Sequence, residues 1–181
     1  ALGLEGLAMA YAAVDGPDFK ALVLCGAGHL FSVGANLKLI ASMSAAGEWK
    51  DLEQYLWDFQ NSIRGLQYGP FPVIAAPHGL ALGGGCEFCM GADLRLAAAE
   101  LRMGLVETKV GLIPGGGGCM EMVRKFGADI DPGFQVIFRG QFSDNAHEAR
   151  SWGLLESEDR ITMDEDGLLD SAIAWARELA A

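Results

Sequence analysis

The amino-acid sequence predicts an α/β fold made of connected βαβ units. Short apolar runs bounded by turn residues alternate with stretches of helical periodicity. The chain has no repeat of fixed period and no low-complexity linker. Its 181 residues, 51% apolar with nine Phe and four Trp, suit the core of one domain, so residues 1–181 are read as a single unit.

The elements follow in order. Leu4, Leu7, Ala8 and Tyr11 open a helical pattern, and Lys20 to Gly26 is a short apolar run that reads as a buried strand. A Gly-rich loop comes next. From Trp49 to Leu66 the apolar residues Trp49, Leu52, Leu56, Phe59, Ile63 and Leu66 recur at steps of three and four, the strongest helical signal present, and Pro70 and Pro72 end it. Val73 to Ala76 is a second buried strand, Gly79 to Gly85 a loop, Cys86 to Ala92 the opening of a helix, and Leu94 to Ala98 a third strand. Met103 to Gly118 is irregular and Gly-rich. Met120 to Phe126, His147 to Trp152 and Leu168 to Leu179 read as helices. Because the sequence starts inside one helical pattern and stops inside another, both ends are expected to be cut.

Composition excludes several functions. A net charge of -11 and a pI near 4.6 argue against a broad surface for nucleic acid or an anionic membrane. Cys25, Cys86, Cys89 and Cys119 sit in apolar or Gly-rich surroundings, which predicts reduced thiols and an intracellular, cytoplasmic home. Cys86 and Cys89 form a C-x-x-C, yet no second pair or His cluster accompanies them, so buried small side chains are expected and no metal. The nearly uncharged run Val73 to Ala92 contains Pro77, several glycines and Glu87, which suits a buried strand, loop and helix better than a membrane span. Ala1 to Ala13 lacks the basic start and cleavage pattern of a signal peptide. His29, His78 and His147 have no Ser or Cys partner at a triad-like spacing and are expected at the surface or in turns.

Three Gly-rich stretches stand at strand-to-helix or strand-to-loop junctions: Gly26–Ala35, Gly79–Gly85 and Gly111–Gly118. Glycine permits close approach to the backbone, and unpaired N–H groups at such junctions can cradle an oxyanion or phosphate. The plainer alternative, that they only permit tight turns, applies equally to any one of them. Gly26-Ala27-Gly28-His29-Leu30-Phe31 fails the dinucleotide fingerprint at Phe31, and Gly115–Gly118 is followed by Cys119 and Met120 rather than the Lys-Ser/Thr of a phosphate loop. Glu87 follows three glycines in an apolar stretch, and Glu107 lies between Val106 and Thr108. Two carboxylates in a dry pocket would titrate as a pair, one giving and one taking a proton. For Glu87 alone, a carboxylate interacting with its own helix dipole is the simpler reading.

These residues resemble a known pattern. Gly26-Ala27-Gly28-His29-Leu30-Phe31-Ser32-Val33-Gly34-Ala35-Asn36-Leu37-Lys38 resembles the first oxyanion loop of the enoyl-CoA hydratase/isomerase (crotonase) superfamily. Pro72–Arg95 (PVIAAPHGLALGGGCEFCMGADLR) resembles its second signature, and Gly104–Gly118 (GLVETKVGLIPGGGG) completes the set in order. The resemblance implies a crotonase-like ββα spiral, here truncated at both ends. It implies that the backbone N–H groups of Ala35 and Gly84 form an oxyanion hole for the thioester carbonyl, a type of donor whose removal typically costs about 3 kcal/mol of barrier. By the same resemblance, Glu87 would activate a water as base and Glu107 would deliver a proton to Cα. Gly115 and Gly116 would help position the water, and Val33, Leu37 and Lys38 would lie near coenzyme A.

The implied reaction is reversible syn hydration of a trans-2-enoyl-CoA to a 3-hydroxyacyl-CoA in fatty-acid β-oxidation, with an acyl-CoA thioester as partner and no metal or redox cofactor. Relatives that only shift a double bond generally lose the carboxylate at the position of Glu87. Isomerisation or other thioester-enolate chemistry is the first alternative, and a non-catalytic acyl-CoA-binding or assembly domain the second. Asn36 departs from the usual Asp, and Cys119-Met120-Glu121-Met122 stands where many relatives have Thr-Gln followed by a basic residue and Leu. The run Gly115–Met122 (GGGGCMEM) and Gly153–Met163 look most like the hydratase portion of multifunctional proteins that also contain a 3-hydroxyacyl-CoA dehydrogenase. A homo-oligomer, trimeric or trimer-based, is expected where the C-terminal helices of the family are present.

Overall fold

The structure is a computed structural model and describes residues 20–180; the helical pattern at Leu4–Tyr11 lies outside them. Strand β1 (Leu22–Cys25) leads through the first Gly-rich loop to helices α1 (Leu37–Ala46) and α2 (Trp49–Tyr68). Then come β2 (Val73–Ala76), β3 (Leu80–Leu82), α3 (Gly84–Met90), β4 (Leu94–Ala98), β5 (Arg102–Gly104) and a 3₁₀ turn, Glu107–Val110. Helices α4 (Gly118–Phe126), α5 (Asp131–Arg139) and α6 (Ala146–Ser151), strand β6 (Arg160–Thr162) and helix α7 (Leu168–Leu179) complete the order.

The strands form two parallel layers. In the first the order is β1-β2-β4-β6, with Leu22 opposite Val73, Ile74 opposite Leu94 and Leu96 opposite Arg160. In the second, β3 pairs with β5, Leu80 opposite Arg102, and Ser32 extends that layer by a parallel bridge to Ala81. Successive turns of chain therefore place one stretch in each layer before passing through a helix, which is the ββα spiral expected from the sequence.

The four-stranded layer is covered on both faces. Val73, Ala75 and Ala97 join a core with Leu101, Met103, Leu105 and Met122, whereas Ile74, Ala76, Leu96 and Ala98 pack against Leu168, Ala172, Trp175 and Ala176 of α7. Period-two alternation of side chains turns a continuous apolar run into two cores. This is why Val73–Ala76, apolar throughout, and Leu94–Ala98, apolar but for Arg95, were legible as strands at the observed boundaries. Of the stripe its periodicity predicts, helix α2 buries Phe59, Ile63 and Leu66, whereas Trp49 and Leu56 in its first half are exposed, and the helix ends at Gly69 and Pro70. A buried ion pair, Arg95 Nε to Asp159 Oδ2 at 2.7 Å, ties β4 to the segment before β6.

Some elements differ from expectation. The Gly79–Gly85 loop contains β3, and α3 starts at Gly84, two residues before Cys86. The positive φ of Gly79 and Gly83 lets the chain turn on either side of a three-residue strand. The irregular stretch Met103–Gly118 contains the end of β5 and the 3₁₀ turn. Helices α1 and α5 and strand β6 carried too little local signal: α1 buries only Met43, α5 has Pro and Gly in its first turn, and β6 is three residues long. Val73 to Ala92 forms two strands and a helix, and no helix among the described residues is long and apolar enough to cross a membrane. His78 stands in the turn between β2 and β3, one of the two placements expected of it, but is buried rather than at the surface: its Nε2 lies 2.9 Å from the Gly28 carbonyl oxygen, so the ring braces the first Gly-rich loop.

Candidate active site

The spiral lays the first Gly-rich loop onto the start of α3. Gly34 has φ +88°, and a Cβ there would lie 2.9 Å from Gly84 N and 3.0 Å from Leu82 O. At Gly85 a Cβ would collide with the Ser32 carbonyl, so neither approach tolerates a larger residue. The loop thus brings Ala35 beside the first turn of α3. Among the described residues, the N–H groups of Ala35 and Gly84 donate to no protein acceptor. Gly84 is the first residue of its helix, where the N–H has no intrahelical partner.

Glu87 is one turn further along α3 and only 2% exposed. Its Oε1 accepts from Gly116 N–H at 2.7 Å and Gly118 N–H at 2.9 Å. Burial raises its pKa, and the backbone N–H groups of Gly118, Gly116 and Gly117 oppose that rise by stabilising the anion. Glu87 does stand in the first turn of its own helix, as the simpler reading has it, but its hydrogen bonds go to a different loop. Gly118 is a contributor that the sequence reading did not single out, and the Gly115–Gly118 run was its only signal.

Glu107 opens the 3₁₀ turn on the other side of Gly83. A Cβ on Gly83 would sit 3.2 Å from Glu107 Oε1, so the absent side chain leaves room for this carboxylate. Both of its oxygens are buried without a hydrogen-bond partner among the described residues. Burial pushes its pKa up to about 7, with the Glu87 charge adding to the rise and the dipole of its own backbone N–H offsetting part of it. The two acidic residues thus sense one another across the start of α3. Cys119 reports the same proximity: burial raises its thiol pKa first, then the charges of Glu87 and Glu107.

The glycine loop is held from α2. Gln60 Nε2 donates to Gly115 O at 2.8 Å. A Cβ on Gly116 would meet the Phe59 ring, Ile63 Cδ1 at 2.6 Å and Glu87 Oε2 at 2.8 Å. Phe59 also reaches Gly84, where a Cβ would lie 2.8 Å from its Cζ, and it packs edge-on against Phe88 with centroids 5.5 Å apart. One ring therefore spaces the α3 start from the loop that holds Glu87. Gln60 and Phe59 were not legible as site residues, since in sequence they are part of a helical stripe and its flank.

The remaining expected residues are exposed. Val33 is 57% exposed, Leu37 and Lys38 open α1 and are exposed, and Lys38 makes no ion pair among the described residues. Asn36 caps α1 by accepting from Leu39 N–H at 3.2 Å, the role an Asp would also fill. Cys86 and Cys89 are fully buried small side chains whose thiols burial pushes up in pKa, as the C-x-x-C reading anticipated. Among the described residues no group of His, Cys, Asp and Glu could hold a metal ion.

Comparison with known proteins agrees with this arrangement. The family model described as enoyl-CoA hydratase/isomerase matches residues 4–181. A Bacillus subtilis (strain 168) protein described as "Probable 3-hydroxyacyl-CoA dehydrogenase" is 36% identical over 188 residues, covering 99% of this chain and 24% of its own. The "Peroxisomal fatty acid beta-oxidation multifunctional protein" of Oryza sativa subsp. japonica is 31% identical over 178 residues, covering 98% of this chain and 23% of its own. A crystal structure of enoyl-CoA hydratase from Bacillus anthracis matches at TM-score 0.82 and 30% identity, with 98% of this chain and 65% of that one covered. The chain thus spans about a quarter of those curated relatives and just under two thirds of the solved structure. With signature loops, strand order and a family match over nearly its whole length all in agreement, the chain belongs to the enoyl-CoA hydratase/isomerase family.

Proposed function

We propose that this chain is the hydratase unit of a β-oxidation enzyme, adding water syn across the double bond of a trans-2-enoyl-CoA. The observation that carries the reading is the paired carboxylates: Glu87, anchored by two backbone donors, and Glu107, with both oxygens free of protein partners, flank the same helix start. A reaction that only relocates a proton needs one such group. Addition of water across a double bond needs a group that accepts a proton and one that supplies a proton.

In the proposed step, the water oxygen bonds to Cβ while Glu87 takes one water proton. The electron pair of the double bond moves into the thioester as an enolate, whose oxygen would lie between the N–H groups of Ala35 and Gly84. Glu107 then gives its proton to Cα and the carbonyl is restored, so one water has been added. A pKa near 7 leaves a large fraction of Glu107 protonated at neutral pH, which suits the donor role, and the N–H groups on Glu87 favour the anion needed of a base. The phosphate-bearing part of the substrate would meet Lys38 with Val33 and Leu37 at the rim, supplying the local cation that the net charge of -11 lacks. Oligomer formation and a cytoplasmic setting belong to this reading.

Loss of the conjugated enoyl-thioester absorbance on mixing crotonyl-CoA with the full-length protein tests the proposal. Activity that collapses in Glu87→Gln supports hydration. A double-bond shift that survives in Glu87→Gln would assign isomerisation instead, and calorimetric binding of an acyl-CoA without turnover would assign a binding domain.

A further inference from the structure

Gly115 and Gly116 share one peptide unit, and both of its polar atoms are engaged. The carbonyl oxygen of Gly115 accepts from Gln60 Nε2 at 2.8 Å, and the N–H of Gly116 donates to Glu87 Oε1 at 2.7 Å. Gln60 comes from α2, 55 residues away in sequence, and Glu87 from α3, 29 residues away. A donor on the carbonyl side of an amide polarises it and strengthens the N–H on the other side. Orientation matters as much as polarisation. A glycine peptide has little intrinsic reason to hold one orientation, and Gly116 cannot gain a side chain without meeting Phe59, Ile63 and Glu87.

From this relay we infer that Gln60 is a positioning residue for Glu87: its carboxamide sets the orientation of the Gly115–Gly116 peptide, which in turn aims and strengthens the hydrogen bond on the Glu87 carboxylate. This rests on the hydratase reading only for its effect on turnover. Gln67, seven residues further along α2, makes a separate tie, donating to Glu121 Oε1 of α4 at 2.6 Å, and does not touch this peptide. Among the described residues, the ionisable groups whose charges couple to Glu87 are Glu107, Cys86 of its own helix and Cys119 of α4, and the hydrogen bond of Gln60 goes to none of them. Weakening the relay should therefore act on Glu87 through the Gly116 N–H alone.

The test uses the full-length protein with Gln60→Met, which keeps the side-chain length and removes the donor, beside Gln67→Met. With crotonyl-CoA, kcat of Gln60→Met should fall about five- to tenfold, the loss of one neutral hydrogen bond. KM should stay within about twofold, and the acid limb of the kcat profile should move up by about half a pH unit, since the anion loses support. Gln67→Met should leave the acid limb in place even if it lowers thermal stability. A second readout does not depend on activity. In glycine-labelled protein the Gly116 amide proton should titrate with Glu87, and in Gln60→Met it should move upfield with a raised midpoint. An unchanged amide resonance and midpoint in folded Gln60→Met overturns the inference even if the protein hydrates crotonyl-CoA. A shifted resonance in a protein that does not hydrate it leaves the positioning role standing and removes the hydratase reading.

Discussion

Glu87 Oε1 lies 2.7 Å from the backbone N of Gly116, so the acidic side chain at the start of one helix is fastened by a loop 29 residues downstream. A second donor, Gly118 N–H, shares the same oxygen. Among the described residues the Gly84 N–H at the helix start keeps no protein acceptor, and this fastening supplies the geometry on which the following predictions depend.

Glu87→Gln keeps an oxygen acceptor for Gly116 and Gly118 but removes the base. We expect a fold of unchanged thermal midpoint and a kcat for hydration of crotonyl-CoA lower by about 10²–10⁴-fold. Steady-state kinetics alongside thermal melts decide it; hydration within a factor of a few of wild type would rule the base assignment out.

Glu107 has its pKa raised from 4.5 to about 7, so the folded state binds a proton that the unfolded state releases between those values. Its contribution to stability is therefore full below about pH 4.5 and is lost as pH rises towards 7. Glu87, also raised, acts in the same direction. The thermal midpoint of Glu107→Gln should fall less than that of wild type between these pH values. Parallel slopes in the two proteins would contradict the assignment.

Gly116→Ala places a methyl group against Phe59, Ile63 and Glu87 Oε2, and should destabilise the protein by about 1–3 kcal/mol and abolish most hydration. Gly28→Ala is the matched control, because a Cβ there meets nothing within 4 Å and should change stability by under about 0.5 kcal/mol. Chemical denaturation of both variants provides the comparison.

Asp159→Ala removes the partner of Arg95, whose Nε and backbone N both donate to the carboxylate, at 2.7 Å and 2.8 Å. With side chains 6% and 0% exposed, the remaining guanidinium would lose its carboxylate and keep its Nη1 bond to the Ala92 carbonyl in the core. A loss of about 3–5 kcal/mol is expected, measured by denaturation of the purified variant, and a loss below 1 kcal/mol would show that water or another acceptor replaces it.

Legibility followed the reach of each signal. Val73–Ala76 and Leu94–Ala98 were readable to the residue because strands buried on both faces are predominantly apolar, the second interrupted only by the ion-paired Arg95. The α2 stripe of Phe59, Ile63 and Leu66 was readable from its steps of four and three. Strand β6 was not, since Arg160, Ile161 and Thr162 become a strand only by pairing with Leu96–Ala98. Gln60 was invisible as a site residue for the same reason: nothing near it in sequence shows what its carboxamide will meet.

The sequence alone determined the buried strands, the long helix, the Gly-rich junctions and the presence of two acidic residues in apolar surroundings. Only the tertiary structure decided that Gly116 and Gly118 hold Glu87 and that, among the described residues, Glu107 keeps both oxygens without a partner and the N–H groups of Ala35 and Gly84 have no acceptor. The reason is one of range. Periodicity and backbone preference act over a few residues, whereas these relationships arise when parallel pairing of β1, β2, β4 and β6 draws together segments separated by tens of residues.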